Sequence, residues 1–180
     1  ARLFQKPSAF DLRTVRVFAE LRGRSRFLDR LMRAIAQFGP GLFFIEMLFL
    51  LVFSIVDRQA LGQHGMLATV ALAVLGALAT KAVIDQIAAR VGRVRPFVRL
   101  GFIPLIGKSA ADPSFPSNHA GGAFSLAVCL ALHVPSVAAV CFAIAVLLVF
   151  ARLYVGVHYV SDIVAGALIG ALIGAICGIL

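Results

Sequence analysis

Five long apolar runs constrain this chain more than any other feature, because each is suited to a helix inside a lipid bilayer. The runs lie near residues 42–56, 67–88, 120–133, 136–152 and 162–180. A spanning helix needs roughly 20 residues, so we expect the shorter runs to extend into their polar flanks. Hydrophobic residues make up 61% of the chain and the mean hydropathy is +0.99. The sequence therefore predicts an all-α integral membrane bundle with about five transmembrane helices.

A basic segment precedes these runs. Residues 1–33 hold nine Lys and Arg against three acidic residues. Between residues 11 and 35, apolar residues recur at helical spacing with arginines between them, which favours two short amphipathic helices in the membrane interface. A soluble cap packed on the membrane domain is the alternative. Residues 39–41, Gly-Pro-Gly, are expected to end this pattern, so we divide the chain into a segment 1–40 and a membrane domain 41–180.

Several features narrow the range of partners. A basic segment beside membrane spans is typical of contact with anionic lipid headgroups, so no nucleic-acid partner is predicted. Cys129, Cys141 and Cys177 all fall in apolar runs, and their odd number and spacing argue against a disulfide framework and a zinc site.

The last apolar run carries glycines at four-residue spacing, at positions 166, 170 and 174. This spacing is typical of a face for close helix packing. The alternative is that glycine is simply frequent in membrane helices.

Three polar residues interrupt the apolar C-terminal half. Arg152 is followed by His158 and then by Asp162. Titratable groups are costly at membrane depth and usually mark a functional site. The three offer a phosphate clamp, a nucleophile or base, and a carboxylate that orients the imidazole ring.

The connection between the second and third runs, residues 89–119, holds most of the remaining polar chemistry. It contains Arg95 before Pro96, and it ends in Pro116-Ser117-Asn118-His119. Two crossings separate it from Arg152, so both segments are expected on the same side of the bilayer.

Together these segments point to phosphate chemistry. Arg95 and Arg152 can supply planar donors to phosphoryl oxygens. Ser117 and Asn118 stand where the third helix is expected to begin, and free N–H groups at a helix N-terminus favour an anion. His119 could protonate the departing oxygen.

In these residues the chain resembles the type-2 phosphatidic acid phosphatase superfamily. The motifs are Arg95-Pro96, Pro116-Ser117-Asn118-His119 and Arg152…His158…Asp162. Within it, the chain is most similar to the bacterial undecaprenyl-diphosphate phosphatases of the bacitracin-resistance type. The features that suggest this branch are the compact five-span layout, the block Ser114-Phe115-Pro116-Ser117-Asn118-His119-Ala120 and the entry Leu21-Arg22-Gly23-Arg24-Ser25…Leu28-Asp29.

The resemblance implies a role for each matched residue. It makes His158 the nucleophile that forms a phosphohistidine, Asp162 the carboxylate that orients it, and His119 the general acid. It assigns Arg95, Ser117 and Arg152 to the phosphoryl oxygens, and it implies no metal or other cofactor. The expected substrate is a lipid diphosphate, undecaprenyl diphosphate, whose monophosphate product returns to use as a cell-wall carrier.

The chain departs from the family pattern at three positions. The lysine expected seven residues before Arg95 is Ala88, the usual glycine of the second motif is Asn118, and a frequent serine is Ala151. For the missing charge at Ala88, Arg90 or Arg93 are candidates.

Lys81 is not expected to replace the missing lysine, because it has a partner within its own helix. It stands four residues before Asp85, a spacing at which the two side chains of a helix can form an ion pair.

The resemblance also implies a multi-pass protein of the bacterial inner membrane whose active site faces outward. The positive-inside tendency of the basic segment and of the 89–119 loop points the other way. We expect the outer face, because phosphate binding accounts for the loop arginines.

Two other functions stay open. One is the same chemistry on another lipid, such as phosphatidylglycerophosphate, phosphatidic acid or a lipid A phosphate. The other is a non-catalytic protein that binds anionic lipid.

Overall fold

The regular structure of this chain is helical throughout the part described by the computed structural model, residues 2–56 and 65–180. The helices are α1 (Arg2–Gln5), α2 (Ala9–Leu21), α3 (Arg26–Val56), α4 (Met66–Val91), α5 (Pro96–Leu100), α6 (Asn118–His133), α7 (Ala138–Tyr154) and α8 (Val160–Gly178). A 3₁₀ turn at Pro135–Val137 joins α6 to α7. The predicted all-α class is confirmed.

The five predicted apolar runs correspond to α3, α4, α6, α7 and α8. Four stretches of the described residues are long and apolar enough to cross a membrane: Arg26–Val52, Met66–Leu100, Pro135–Tyr154 and Val160–Gly178. Helix α6 has 16 residues, about 24 Å at roughly 1.5 Å per residue. It packs against α4, α7 and α8, so the shortest of the five helices lies at the centre of the bundle.

Helices α6 and α8 pack backbone against backbone. A Cβ atom built on Gly170 would lie 2.0 Å from the carbonyl oxygen of Gly121, and one on Gly174 would lie 2.3 Å from that of Ser125. A Cβ on Gly166 would lie 2.4 Å from the carbonyl oxygen of Ser117. The glycine face predicted for close packing is therefore confirmed, because any side chain there would separate the two helices.

Of the two short amphipathic helices predicted in the N-terminal segment, only the first is a separate helix in the structure. Helix α2 is short, begins at a capping box between Ser8 and Asp11, and exposes most of its residues. The predicted end at residues 39–41 is wrong, because α3 continues through Pro40 into the first span. Packing on α7 accounts for this: a Cβ on Gly39 would lie 3.0 Å from Cδ1 of Leu148. The proposed division of the chain at residue 40 crosses this continuous helix and stays a prediction.

Replacing Gly170 by alanine should destabilise the bundle, because the added methyl group has no room beside the Gly121 carbonyl. Overpacking of this kind costs about 1–3 kcal/mol. The matched control is Gly122→Ala, whose Cβ meets nothing within 4 Å. Thermal unfolding in detergent should show a lower Tm for Gly170→Ala and an equal or higher Tm for Gly122→Ala. Equal Tm values for the two variants would contradict close α6–α8 packing.

Candidate active site

The two polar segments singled out in the sequence meet in one cavity of about 370 Å³ at one end of the bundle. The cavity is formed by α4, the loop 101–117, the first turn of α6, the end of α7 and the loop between α7 and α8. Its lining residues are Lys81, Asp85, Ala88, Arg95, Lys108, Asp112, Pro113, Pro116, Asn118, His119, Arg152 and His158. The expectation that both segments lie on the same side is confirmed by this arrangement.

Helix α6 begins where the sequence indicated. Ser117 is its N-cap, and its Oγ accepts a hydrogen bond of 3.4 Å from the N–H of Ala120. Ser117 is fully buried and is absent from the described residues that line the cavity, whereas its neighbours Asn118 and His119 line it. The Ser117 N–H donates to the carbonyl of Asp162 at 3.0 Å, which joins the first turns of α6 and α8.

His158 lies in the loop between α7 and α8 and is held at Nδ1. The nearest acceptor is the carbonyl of Ser114 at 2.9 Å, and Oδ2 of Asp162 lies at 3.5 Å. With two acceptors beside it, Nδ1 is assigned the proton, which leaves a lone pair on Nε2. Nη1 of Arg95 lies 3.4 Å from that Nε2.

The protonation of His158 follows from its surroundings. Burial lowers its pKa below the ordinary value for histidine, although the hydrogen bond and charge of Asp162 act in the opposite direction. The imidazole is therefore neutral at pH 7, the form whose nitrogen can attack phosphorus. The ring is 3% exposed, so the protein leaves it little freedom.

Asp162 is oriented by Arg93, a residue that the sequence suggested only as a substitute for the missing lysine. Nη1 of Arg93 lies 2.7 Å from Oδ1 of Asp162, and both side chains are buried. The other oxygen, Oδ2, accepts from the backbone N–H of Tyr159 at 2.9 Å. Both oxygens of Asp162 thus have a donor other than His158, whose nearest acceptor is the Ser114 carbonyl.

The network extends from Arg93 to the N-terminal helix α2. Nη1 of Arg93 donates to Oγ of Ser161 at 2.7 Å, and that hydroxyl donates to Oδ2 of Asp11 at 2.7 Å. Oδ1 of Asp11 accepts from the Ser161 N–H at 2.9 Å, so Asp11 satisfies a free N–H of the first turn of α8. Burial raises the pKa of Asp11, but hydrogen bonds from Ser161 and Ser8 lower it below the ordinary value. The amphipathic N-terminus is thus bonded to the site.

Arg95 has a structural role beside any contact with substrate. Its guanidinium donates from Nε to the carbonyl of Asp112 at 3.0 Å, from Nη1 to that of Val157 at 2.8 Å and from Nη2 to that of Pro113 at 2.8 Å. Arginine has five N–H donors. Three serve these carbonyls and a fourth, on Nη1, faces the lone pair on Nε2 of His158 at 3.4 Å, so one remains for a phosphoryl oxygen. Arg95 therefore ties the loop 101–117 to the loop that carries His158.

Arg152 lines the cavity from the last turn of α7 and is 3% exposed. Its Nη1 donates to the carbonyl of Ala36 in α3 at 3.2 Å. Its Nε has no hydrogen-bond partner among the described residues, so an oxyanion would meet no competing acceptor there.

Ala88, the position where a lysine was expected, lines the cavity, and Lys81 and Asp85 line it from one to two turns earlier on α4. Lys81 forms the predicted ion pair with Asp85, and Asp85 accepts from Nδ2 of Asn118 at 2.6 Å. A second pair joins Lys108 and Asp112 at 2.6 Å. Of the two arginines considered as substitutes for the missing lysine, Arg93 is paired with Asp162, and Arg90 is exposed and absent from the described cavity lining.

Asp85 and Lys108 also line the cavity, and neither was predicted from the sequence as a site residue. Their signal was the same in both cases, a lysine and an aspartate four residues apart. Within the described ranges, no group of three or more His, Cys, Asp and Glu side chains is placed to hold a metal ion.

A second, apolar groove of about 380 Å³ adjoins the cavity. It runs between α3, α4 and α6, and it shares Lys81, Asn118 and His119 with the polar cavity. The rest of its lining is Pro40, Phe43, Phe44, Ala77, Leu78, Gly122, Ala123, Leu126 and Leu148. A molecule with a phosphate at one end and a hydrocarbon chain at the other could occupy both.

Two solved structures share this fold over most of their length. LpxE of Aquifex aeolicus superimposes with a TM-score of 0.73 at 25% identity, covering 94% of this chain and 95% of that chain. A PAP2 type phosphatidylglycerolphosphate phosphatase of Bacillus subtilis gives a TM-score of 0.69 at 23% identity, covering 93% of this chain and 82% of that chain.

The sequence itself matches at the level of a family. No curated protein matches the chain. The model of the PAP2 superfamily matches residues 67–179, more than half of the chain, and this range contains every residue that lines the polar cavity. The chain therefore belongs to the PAP2 superfamily.

Proposed function

We propose that this protein removes the terminal phosphate of a lipid diphosphate, undecaprenyl diphosphate, through a phosphohistidine at His158. One observation carries the proposal: the neutral Nε2 of His158 stands in a cationic cavity that opens, at His119, into an apolar groove. The membrane-phosphatase fold of the PAP2 superfamily agrees with this chemistry.

The first chemical step forms the phosphohistidine. Nε2 of His158 attacks the terminal phosphorus, the bond from phosphorus to the bridging oxygen breaks, and that oxygen leaves with the electron pair. His119 donates a proton to it, so the lipid monophosphate departs with one negative charge fewer than it would otherwise carry. Arg95 and Arg152 bind the phosphoryl oxygens, on which negative charge is concentrated in the transition state.

The second step restores the enzyme. Water attacks the phosphohistidine, His119 accepts the proton of that water, and the bond between phosphorus and Nε2 breaks to release inorganic phosphate. The Ser114 carbonyl and Asp162 hold Nδ1 throughout and stabilise the positive charge that the ring carries in the intermediate. Ser117 and Asn118 contribute through the N-terminus of α6, which favours an anion.

The charges of the cavity favour a diphosphate. Arg95, Arg152, Lys81 and Lys108 line it, and each lysine is paired with an aspartate. Exchange of these aspartates for phosphate oxygens would give a second phosphate two cations of its own. The apolar groove of about 380 Å³ beside His119 suits a hydrocarbon chain, as in a polyprenyl substrate.

A second candidate is the same reaction on phosphatidylglycerophosphate or another lipid phosphate. The likeness to the Bacillus subtilis phosphatidylglycerolphosphate phosphatase and to LpxE favours it. In either case we propose a multi-pass protein of the bacterial inner membrane whose cavity faces the outer side, where undecaprenyl diphosphate is released.

Phosphate release in detergent tests the proposal. Undecaprenyl diphosphate, phosphatidylglycerophosphate, phosphatidic acid and a lipid A phosphate would be compared, each with and without EDTA. We expect the highest kcat/KM with undecaprenyl diphosphate, no loss with EDTA, and inhibition by vanadate. Higher kcat/KM with phosphatidylglycerophosphate would replace the substrate assignment, and no turnover of any lipid would overturn the phosphatase itself.

Replacement of His158 by alanine should abolish turnover, because it removes the attacking nitrogen. We expect a loss of at least about 10³-fold, the order seen when a catalytic nucleophile is removed. Labelling with a substrate that carries ³²P in its terminal phosphate, quenched in detergent at alkaline pH, should leave an alkali-stable, acid-labile phosphoenzyme in the wild type and none in the variant. Labelling that survives in His158→Ala would place the nucleophile elsewhere.

Replacement of Arg93 by glutamine should lower kcat although Arg93 is absent from the described cavity lining. The change leaves Asp162 buried without its partner, so the carboxylate loses its fixed orientation beside His158. Arg90→Gln is the matched control, because Arg90 is exposed on the last turn of α4. We expect at least about tenfold lower kcat for Arg93→Gln with KM nearly unchanged. Equal kcat for both variants would contradict the orienting role.

Replacement of Gly122 by leucine should block the apolar groove, since a Cβ there meets nothing within 4 Å and the residue lines the groove. KM should rise severalfold for a long-chain lipid and stay unchanged for a water-soluble phosphate ester. A rise in KM for both substrates would contradict binding of the hydrocarbon chain in the groove.

A further inference from the structure

We infer that Pro40 is a positioning residue for Arg152, and that it acts by leaving a helix carbonyl free to hold the guanidinium group. The inference rests on the proposed function only in taking Arg152 as a phosphate-binding residue. It assigns a purpose to the Gly-Pro-Gly sequence at residues 39–41, which does not end α3 and which the reaction itself does not use.

The first step of the argument is the backbone of α3. In an α-helix the N–H of residue 40 would donate to the carbonyl of residue 36. Proline has no N–H, so the carbonyl of Ala36 lacks its helical donor. A buried carbonyl without a partner is unfavourable, and Ala36 is 1% exposed.

The second step is the group that takes the place of that donor. Nη1 of Arg152 donates to the Ala36 carbonyl at 3.2 Å, across the interface between α3 and α7. Among the described residues, the Ala36 carbonyl is the acceptor that the Arg152 guanidinium uses. The Nε of Arg152 has no hydrogen-bond partner among those residues. The acceptor that Pro40 leaves free is thus the one that sets where Arg152 stands in the cavity.

The third step is the close approach that makes the bond possible. A Cβ on Gly39 would lie 3.0 Å from Cδ1 of Leu148, one turn before Arg152 on α7. The glycine brings α3 against α7, and the proline beside it frees the carbonyl. Both residues act on the same turn of the interface.

The decisive variant is Pro40→Ala, which returns the N–H and lets it compete for the Ala36 carbonyl. Because alanine favours a helix interior and proline does not, Tm should stay equal or rise. Affinity for orthovanadate, measured directly by calorimetry, should fall about tenfold, the size of one hydrogen bond to a charged group. Vanadate has no hydrocarbon chain, so the contact of Pro40 with the apolar groove does not affect this measurement.

Gly41→Ala is the matched control, because it also adds a methyl group to α3 and that methyl group meets nothing within 4 Å. It should bind vanadate as the wild type does. In an Arg152→Lys background, Pro40→Ala should weaken vanadate binding less than twofold further, since the planar group that uses the carbonyl is gone.

The outcomes separate this inference from the proposed function. Weaker vanadate binding in Arg152→Lys but wild-type binding in Pro40→Ala would overturn the role of Pro40 alone. A lower Tm in Pro40→Ala would also overturn it, because it would make the proline a packing residue. Wild-type vanadate binding in Arg152→Lys, or none in the wild-type protein, would instead overturn the phosphate site.

Discussion

The close contact of α6 with α8 is the constraint on which the rest of this structure depends. Three glycines of α8 face backbone carbonyls of α6 at distances that exclude any side chain. At the end of this contact, Ser117 at the start of α6 donates to the carbonyl of Asp162 in the first turn of α8. His119 and His158 stand in one cavity because these two helix starts are held together.

Around that contact, the charges of the site are held by the protein before any substrate arrives. Arg93 orients Asp162, the Ser114 carbonyl holds the imidazole of His158, and the Ala36 carbonyl holds Arg152. Charged groups buried near a membrane are stable only when they are paired or hydrogen-bonded. The same hydrogen bonds that stabilise these groups in a buried position also fix the geometry of the proposed phosphate site, and preorganised groups of this kind are what electrostatic catalysis requires.

The sequence predicted the helices and the grouping of the polar segments because these follow from local patterns and from counting crossings. The start of α6 after Pro116 and the packing face of Gly166, Gly170 and Gly174 agree with the structure. The end predicted at residues 39–41 was wrong, since packing on α7 maintains the helix despite one lost backbone hydrogen bond. The role of Arg93 was missed because Arg93 and Arg95, two positions apart, look alike in sequence. Asp85 and Lys108 were missed because a lysine and an aspartate four residues apart also fit an ordinary ion pair on a helix.

What the sequence by itself determined is the set of residues that the proposed chemistry uses: a membrane chain, a histidine proposed as nucleophile with a carboxylate near it, and arginines proposed to bind phosphate, at spacings that bring them to one side of the bilayer. Only the tertiary structure decided which hydrogen-bond partner each of these groups has. It paired Arg93 with Asp162, gave three of the five donors of Arg95 to backbone carbonyls, and assigned the Ala36 carbonyl to Arg152. The reason is physical: residue types and spacings follow from the sequence, whereas a hydrogen-bond partner depends on which backbone carbonyls remain free once the helices have packed.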